Sequence, residues 1–340
     1  MSRKIVAFAI FLLFICSMPV LGAVKVELDT TAGWNDAASE MSWKSGFTTS
    51  GNWALWPNFA FFLKDQIFIS QVDQEWQGTL NRCYIQYEQD SVRLNLGRQG
   101  VSWGIGWFFR PTDLITPLTP LAEEETRSGE DLAVLRWSTS PLTATDFIAG
   151  ERLIAARSEW RIGATNLRIL GVYQPEYIDA IGFDFQGGLA GLYGEAAYRW
   201  ADSGETNQGK FVGLMGWKKT IGSGYQLYIE YFRNDLSAAG PKLAGLVLQN
   251  KNQELIYSNQ NYLALGLEIA WDQLTTFAIT GIANLDDNGI IVTGTGSWQL
   301  TDSLDIKATL AGIIGPDDFE FRSLEQGARI SAGLEVKYYF

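Results

Sequence analysis

The chain has 340 residues, with 26 basic and 38 acidic side chains and a formal net charge of −12. It contains no histidine, so Ser-His-Asp hydrolysis and histidine-ligated metal sites are excluded, and no cofactor is expected. The acidic balance leaves no basic surface to cover a phosphate backbone, so nucleic acid is not an expected partner.

The first 23 residues read as a removable leader. Arg3 and Lys4 open it, Ile5–Leu21 is uncharged and apolar, and the small residues Gly22 and Ala23 close it. That order is the order of a secretory signal peptide, although the apolar run is also marginally long enough for a membrane anchor. Removing residues 1–23 takes away two bases and no acid, which moves the net charge from −12 to −14. Only Cys83 then remains, and a lone cysteine makes no internal disulfide. Residues 24–340 show no linker or low-complexity tract and read as one domain. Residues 24–32 fit no strand count cleanly and stay unassigned, either as an extension or because one strand near residues 53–74 has been split in two.

From there period two dominates. Val92, Leu94 and Leu96 alternate with Arg93, Asn95 and Gly97, and Tyr225, Leu227, Ile229 and Tyr231 alternate with Gln226, Tyr228 and Glu230. Leu263, Leu265, Leu267 and Ile269, then Leu304, Ile306, Ala308 and Leu310, repeat the pattern. A strand sends successive side chains to opposite faces, so each segment has one apolar and one polar face. The segments run about ten residues, the length of a tilted bilayer-spanning strand. Tight links near Gln89–Ser91, Thr139–Leu142, Gly163–Thr165, Gln186–Gly188, Ile221–Gly224, Asp272–Gln273 and Thr301–Ser303 alternate with long loops at Gly104–Gly129, Ala201–Gly209, Asn234–Ser258 and Gly315–Glu325. Trp160, Trp200, Trp217, Trp271, Trp298 and Tyr338 stand at the ends of apolar faces, as interface girdles do. The sequence therefore predicts an all-β, transmembrane antiparallel β-barrel of about 18 strands. A 16-stranded barrel fits nearly as well, and a soluble β-sandwich or solenoid shares the period but not the girdles.

The polar faces must point away from lipid, because arginine facing lipid costs ~2–4 kcal/mol at the midplane. Expected pore-lining residues are Arg93, Arg136, Arg157, Arg161 and Arg168, with Glu88, Glu159, Glu195 and Glu230 as acidic partners. The arginines suggest a basic strip able to orient and select solutes, or simply a wet wall of paired charges. The Gly104–Gly129 loop, with Trp107, Phe108, Phe109, Arg110, Asp113, Glu123, Glu124 and Glu125, is the candidate constriction. The same loop would otherwise shield the rim from outside. Asp286–Asp287 and Asp317–Asp318 are carboxylate pairs of the type that bind hard cations, and also ordinary solvated turn residues.

The last segment, Ile330–Phe340, carries Leu334, Val336, Tyr338 and a terminal Phe340. It resembles the closing strand of Gram-negative outer-membrane barrels. That resemblance implies that Phe340, Tyr338, Val336 and Leu334 form a signal for the barrel-assembly machinery. A second stretch, Gly97-Arg98-Gln99 through Trp103-Gly104 to Pro111-Thr112-Asp113, is similar to one in porin-like barrels, where it ends a strand and opens a long loop. The expectation is a porin-like channel for passive diffusion of small hydrophilic solutes or ions, in the bacterial outer membrane, surrounded by lipid and by analogy able to form a homotrimer. The alternative is a structural or interaction barrel (tether, adhesin or secretion partner) with a blocked lumen. An enzyme without histidine would need an unusual carboxylate mechanism and is not expected.

Overall fold

The computed structural model describes residues 22–35, 41–70, 76–116, 127, 129–175, 179–188, 190–200, 209–236, 259–316, 320–323 and 329–340. Its strands are β1 (Gly22–Asn35), β2 (Met41–Trp56), β3 (Phe59–Ser70), β4 (Trp76–Gln89), β5 (Val92–Gln99), β6 (Glu130–Ser140), β7 (Thr143–Gly150), β8 (Leu153–Ile162) and β9 (Thr165–Tyr173). They continue as β10 (Asp179–Gln186), β11 (Leu192–Trp200), β12 (Lys210–Ile221), β13 (Tyr225–Asn234), β14 (Asn261–Ala270), β15 (Thr275–Asn284), β16 (Ile290–Thr301), β17 (Leu304–Ile314) and β18 (Ile330–Tyr339).

Each strand pairs antiparallel with the next, and β1 pairs with both β2 and β18, so the 18-stranded sheet closes on itself. The closing register runs from Glu27↔Tyr339 to Asn35↔Ser331. Closure leaves no row of unpaired backbone groups, which is what hydrocarbon demands of a sheet. The strand number is 18, as expected, but its first member is the stretch left unassigned in the sequence. Residues 24–32 lie within β1, and residues 41–70 form two strands joined at Pro57–Asn58. β1 alternates like the other strands, with Val26, Leu28, Ala32 and Trp34 on its outer face, and it stays unassigned in the sequence because the chain after it reads as 18 strands where the structure has 17. Thr30 sits on the same face and its hydroxyl pairs with that of Ser45 at 2.9 Å, so the polar atoms satisfy each other. β1 begins at Gly22, two residues inside the segment expected to be removed.

One end of the barrel is closed by short turns such as Asp90–Ser91, Gly163–Ala164 and Asp302–Ser303. The other end carries the longer connections, except at Glu151–Arg152, where β7 turns into β8 within two residues. The outer wall is apolar: Leu96, Phe147, Ile154, Ile181, Leu265 and Leu310 are all exposed. An apolar surface of this extent is stable only against hydrocarbon. Aromatic rings rim the wall. Trp160, Trp217, Trp271, Trp298 and Tyr338 lie at the turn end, with Trp200, Trp34 and Trp43 at the loop end. Leu334, Tyr338 and Phe340 are exposed on this wall, and the rings of Tyr338 and Phe340 meet edge-on at 4.8 Å.

Candidate functional site

The stretch from Gly97 to Asp113 is where the chain leaves the wall and turns inward. Gly97 has φ of +126°, and a Cβ there would fall on the carbonyl of Cys83, so only glycine fits. Arg98 then forks onto Asp131 of β6 with two 2.8 Å bonds. The Gln99 amide donates to the Leu132 carbonyl at 3.1 Å. These contacts fix β5 against β6 just before the loop begins, at Gly100 rather than at Gly104 as expected.

The loop crosses the interior toward β11–β14. Its backbone N–H groups would be costly to bury without acceptors, and two wall glutamates supply them. Glu195 on β11 accepts from the amides of Ile105 (2.5 Å), Gly106 and Thr112 (3.0 Å), and from the Thr112 hydroxyl (2.7 Å). Glu230 on β13 accepts from the amides of Trp107 (2.5 Å), Phe108 (2.9 Å) and Phe109 (3.1 Å), and from the Tyr193 hydroxyl (2.7 Å). Residues 105–109 thus form a run of successive N–H groups turned on two carboxylates, an anion-holding nest. Gly106 permits the tight path, since a Cβ there would meet the Phe109 carbonyl. A second lock lies at the loop's stem. Asp113 is buried, accepts from Arg127 Nη1 at 2.8 Å, and sits opposite the Trp103 amide. Arg127 also donates to the carbonyls of Val101 and Thr116. Arg110 bonds the Gly106 carbonyl at 3.0 Å, and Arg199 of β11 bonds that of Pro111 at 2.5 Å.

Apolar packing completes the attachment. Phe109 stacks on Phe232 at 4.5 Å, and Phe108 joins the same cluster with Tyr193, Leu214 and Tyr262. Phe321, from the 3-10 turn Glu320–Ser323 after β17, is fully buried against Tyr262. On the other side Trp103 takes the Arg157 guanidinium over its ring at 5.2 Å. A cavity of about 190 Å³ lies between the loop's stem and the wall that carries Arg93, Arg136 and Arg157.

That wall is the arginine strip. Arg136 and Arg157 share Asp146 of β7, at 3.0 and 2.8 Å. Glu159 lies 3.5 Å from Arg136 and 3.7 Å from Arg168, and Arg168 pairs with Asp184 of β10 at 2.7 Å. Arg93 forks onto Glu88 with two 2.9 Å bonds near the turn end. Arg161 is exposed at the turn end of the same face and makes no ion pair among the described residues. Five arginines therefore face four carboxylates (Glu88, Asp146, Glu159, Asp184), a surplus of one positive charge.

The expected site residues thus divide. Arg136, Arg157, Arg168 and Glu159 form one cross-strand network through Asp146 and Asp184, and Arg93 with Glu88 forms a separate pair on the same wall. Glu195 and Glu230, expected beside them as lumen charges, are instead 3% and 0% exposed beneath the loop. The loop's amides occupy their oxygens. Arg110 and Asp113 belong to the loop's internal locks. Glu123, Glu124, Glu125, Asp317 and Asp318 lie outside the described residues. Asp286 and Asp287 are engaged as loop fasteners. Asp286 accepts from the amides of Gln260 and Asn261 at 2.7 and 2.8 Å, and Asp287 from the Glu320 amide at 2.9 Å. Burial pushes the Asp286 carboxyl up, but the hydrogen bonds from Asn261 and Gln260 outweigh it and hold the group below the usual range. No metal-holding group of three or more acids, cysteines or histidines occurs among the described residues. Sequence reasoning missed Asp146, Asp184, Tyr193 and Thr112. The two aspartates stand at polar positions of the alternating runs of β7 and β10, where the same period marks them.

No protein-family model matches the chain, and no curated protein matches it. Solved structures do. The crystal structure of OccK5 (OpdH) from Pseudomonas aeruginosa aligns with a TM-score of 0.67 over 94% of this chain and 98% of that one, at 8% identity. OccK2 (OpdF) from the same organism, in complex with glucuronate, aligns at 0.63 over 94% and 98%, with 9% identity. OpdK of Pseudomonas aeruginosa with vanillate gives 0.64 over 94% and 98%, also at 9%. At such identities the likeness is one of fold: this chain is built as a closed 18-stranded antiparallel barrel of the same architecture.

Proposed function

We propose that the chain is a porin-like channel of the bacterial outer membrane through which small hydrophilic solutes or ions diffuse passively. The observation that carries this reading is the inward loop. A barrel of this size is too wide for side chains to fill. This chain spends two buried glutamates on holding a loop across the interior while leaving paired, partly hydrated charges on the facing wall. Such an arrangement narrows an aqueous path and keeps it polar, which a barrel serving only as a scaffold does not require. The fold shared with Occ structures supports the reading, two of them solved with glucuronate and vanillate. Residues 1–23 would direct export and be removed, and Leu334, Val336, Tyr338 and Phe340 would present the closing strand to the assembly machinery. Deleting Phe340 should then leave unassembled protein in the periplasm without reducing secretion; normal membrane insertion would count against that role.

The second reading is a structural or interaction barrel with a blocked lumen. The buried cluster of Phe108, Phe109, Phe232, Tyr262 and Phe321 favours it, because it fills part of the interior near the loop end. Single-channel recording in planar bilayers separates the two: discrete ohmic steps support the channel, and a correctly folded, silent barrel supports the scaffold.

A further inference from the structure

The inner face of the barrel changes character along β14–β17. Toward the turn end its inward positions are polar, with Glu268, Thr276, Ser297 and Lys307. Toward the loop end the same face carries Tyr262, Ile282, Ile291 and Ile313, all of them buried. Apolar surface left in water is unfavourable, so this lip needs a cover. The tip of the inward loop supplies part of it, with Phe109 packed on Phe232 and Tyr262. The β17–β18 connection supplies another part: Phe321 is 0% exposed in the same cluster, 6.4 Å from the Tyr262 ring. Polar bonds fix this second cover. One oxygen of Glu320, Oε2, accepts from the Tyr262 hydroxyl at 2.7 Å and from the Asn284 side-chain amide at 2.6 Å. The Glu320 backbone amide donates to Asp287 at 2.9 Å. The Tyr262 hydroxyl in turn accepts from the Asn259 backbone amide at 2.7 Å, and Asp287 from the Asn259 side chain at 3.1 Å. Tyr262 and Asp287 thus gather the ends of three connections, β13–β14, β15–β16 and β17–β18.

We infer that Glu320 and Phe321 are positioning residues of the constriction, acting through Tyr262 on the tip of the inward loop. Glu230 holds the amides of residues 107–109 from the wall. The β17–β18 connection clamps the same tip from the loop end. For the tip to leave Glu230, Phe109 must part from Tyr262, and Tyr262 is tied to Glu320 and packed under Phe321. The narrow passage is therefore set by two connections rather than one, and the inward loop is a fixed step rather than a swinging flap.

The inference rests on the inward loop narrowing a solute path, but its first readout does not need conduction. Amide hydrogen exchange at residues 107–109 is measured on the full chain in detergent micelles, since these amides open only when the tip leaves Glu230. Phe321→Ala takes a buried aromatic out of the cluster and should speed their exchange roughly tenfold or more. Glu320→Ala removes one acceptor of two donors and should speed it by a smaller factor. Phe321→Leu keeps apolar bulk and Glu320→Gln keeps an acceptor oxygen, so both should restore most of the protection. Amides of β1–β5 should exchange as in the wild type throughout, which a loss of general barrel stability would not allow. In planar bilayers the alanine variants should show a noisier open level and the conservative ones the wild-type level. Wild-type exchange at residues 107–109 in both alanine variants, or conservative variants as loose as the alanine ones, would overturn the role. Should Phe321→Ala fail to give the heat-modifiable folded form, the comparison of Glu320→Ala with Glu320→Gln decides alone. A wild type that conducts nothing would sink the channel reading and leave the exchange result standing, so the two failures are distinct.

Discussion

The two inner walls, β5–β10 and β11–β14, are written in the same alphabet and do different work. Arg157 and Glu159 on β8, like Glu195 on β11 and Glu230 on β13, are charged residues at alternating positions of a strand whose other face is apolar. On the first wall the charges meet one another across neighbouring strands. On the second they meet backbone amides from a loop that begins far away in the chain, with Glu195 separated from Gly106 by 89 positions. The same residue type is a partly hydrated wall charge in one place and a buried fastener in the other. What separates them is whether something lies on top.

The comparison can be broken most forcefully at Glu230. Its replacement by alanine leaves the Tyr193 hydroxyl and three loop amides without an acceptor. Each buried unsatisfied group costs about 1–3 kcal/mol, so the loop should leave the wall while the barrel stays closed. Amide hydrogen exchange at residues 105–112 should rise by orders of magnitude, with protection in β15–β18 unchanged; intact loop protection would show that the aromatic packing holds the loop alone.

The arginine wall should respond in charge rather than in structure. Changing Arg136, Arg157 and Arg168 together to glutamine removes three positive charges from a wall with a surplus of one, leaving a deficit of two. The reversal potential in a salt gradient should move toward cations. The shift should shrink at high salt, because the reach of these charges is about a Debye length, ~8–10 Å at physiological salt. An ion preference identical before and after the change would place selectivity elsewhere. The smallest effect belongs to Arg93→Gln. Its pair with Glu88 is half-exposed on both sides and is worth about 0–1 kcal/mol, so the thermal midpoint should hardly move.

The faces of the strands were legible because period two and the cost of a charge in lipid act residue by residue. The closing strand β18, the turns at Asp90–Ser91 and Gly163–Ala164 and the members of the arginine strip were all readable on those terms. β1 was not, although Val26, Leu28, Ala32 and Trp34 alternate on its outer face, because the chain after it reads as 18 strands rather than 17 and an even-numbered barrel leaves no place for a nineteenth. The roles of Glu195 and Glu230 were not legible either. They depend on a contact between distant segments, and no local pattern distinguishes an acid that faces water from one that faces a nest of amides. Trp107, Phe108 and Phe109 are consecutive aromatics in the sequence, and only the packing shows that the last two are anchors and the first is exposed.

The central claim is that a glutamate-anchored loop narrows an aqueous path, and single-channel conductance of the wild type and Glu230→Ala, recorded side by side in planar bilayers, tests it most directly. The wild type should open in small, steady steps, and the variant, verified as a folded heat-modifiable barrel, in larger and noisier ones. A silent wild type, or equal conductance in the two proteins, would contradict the account.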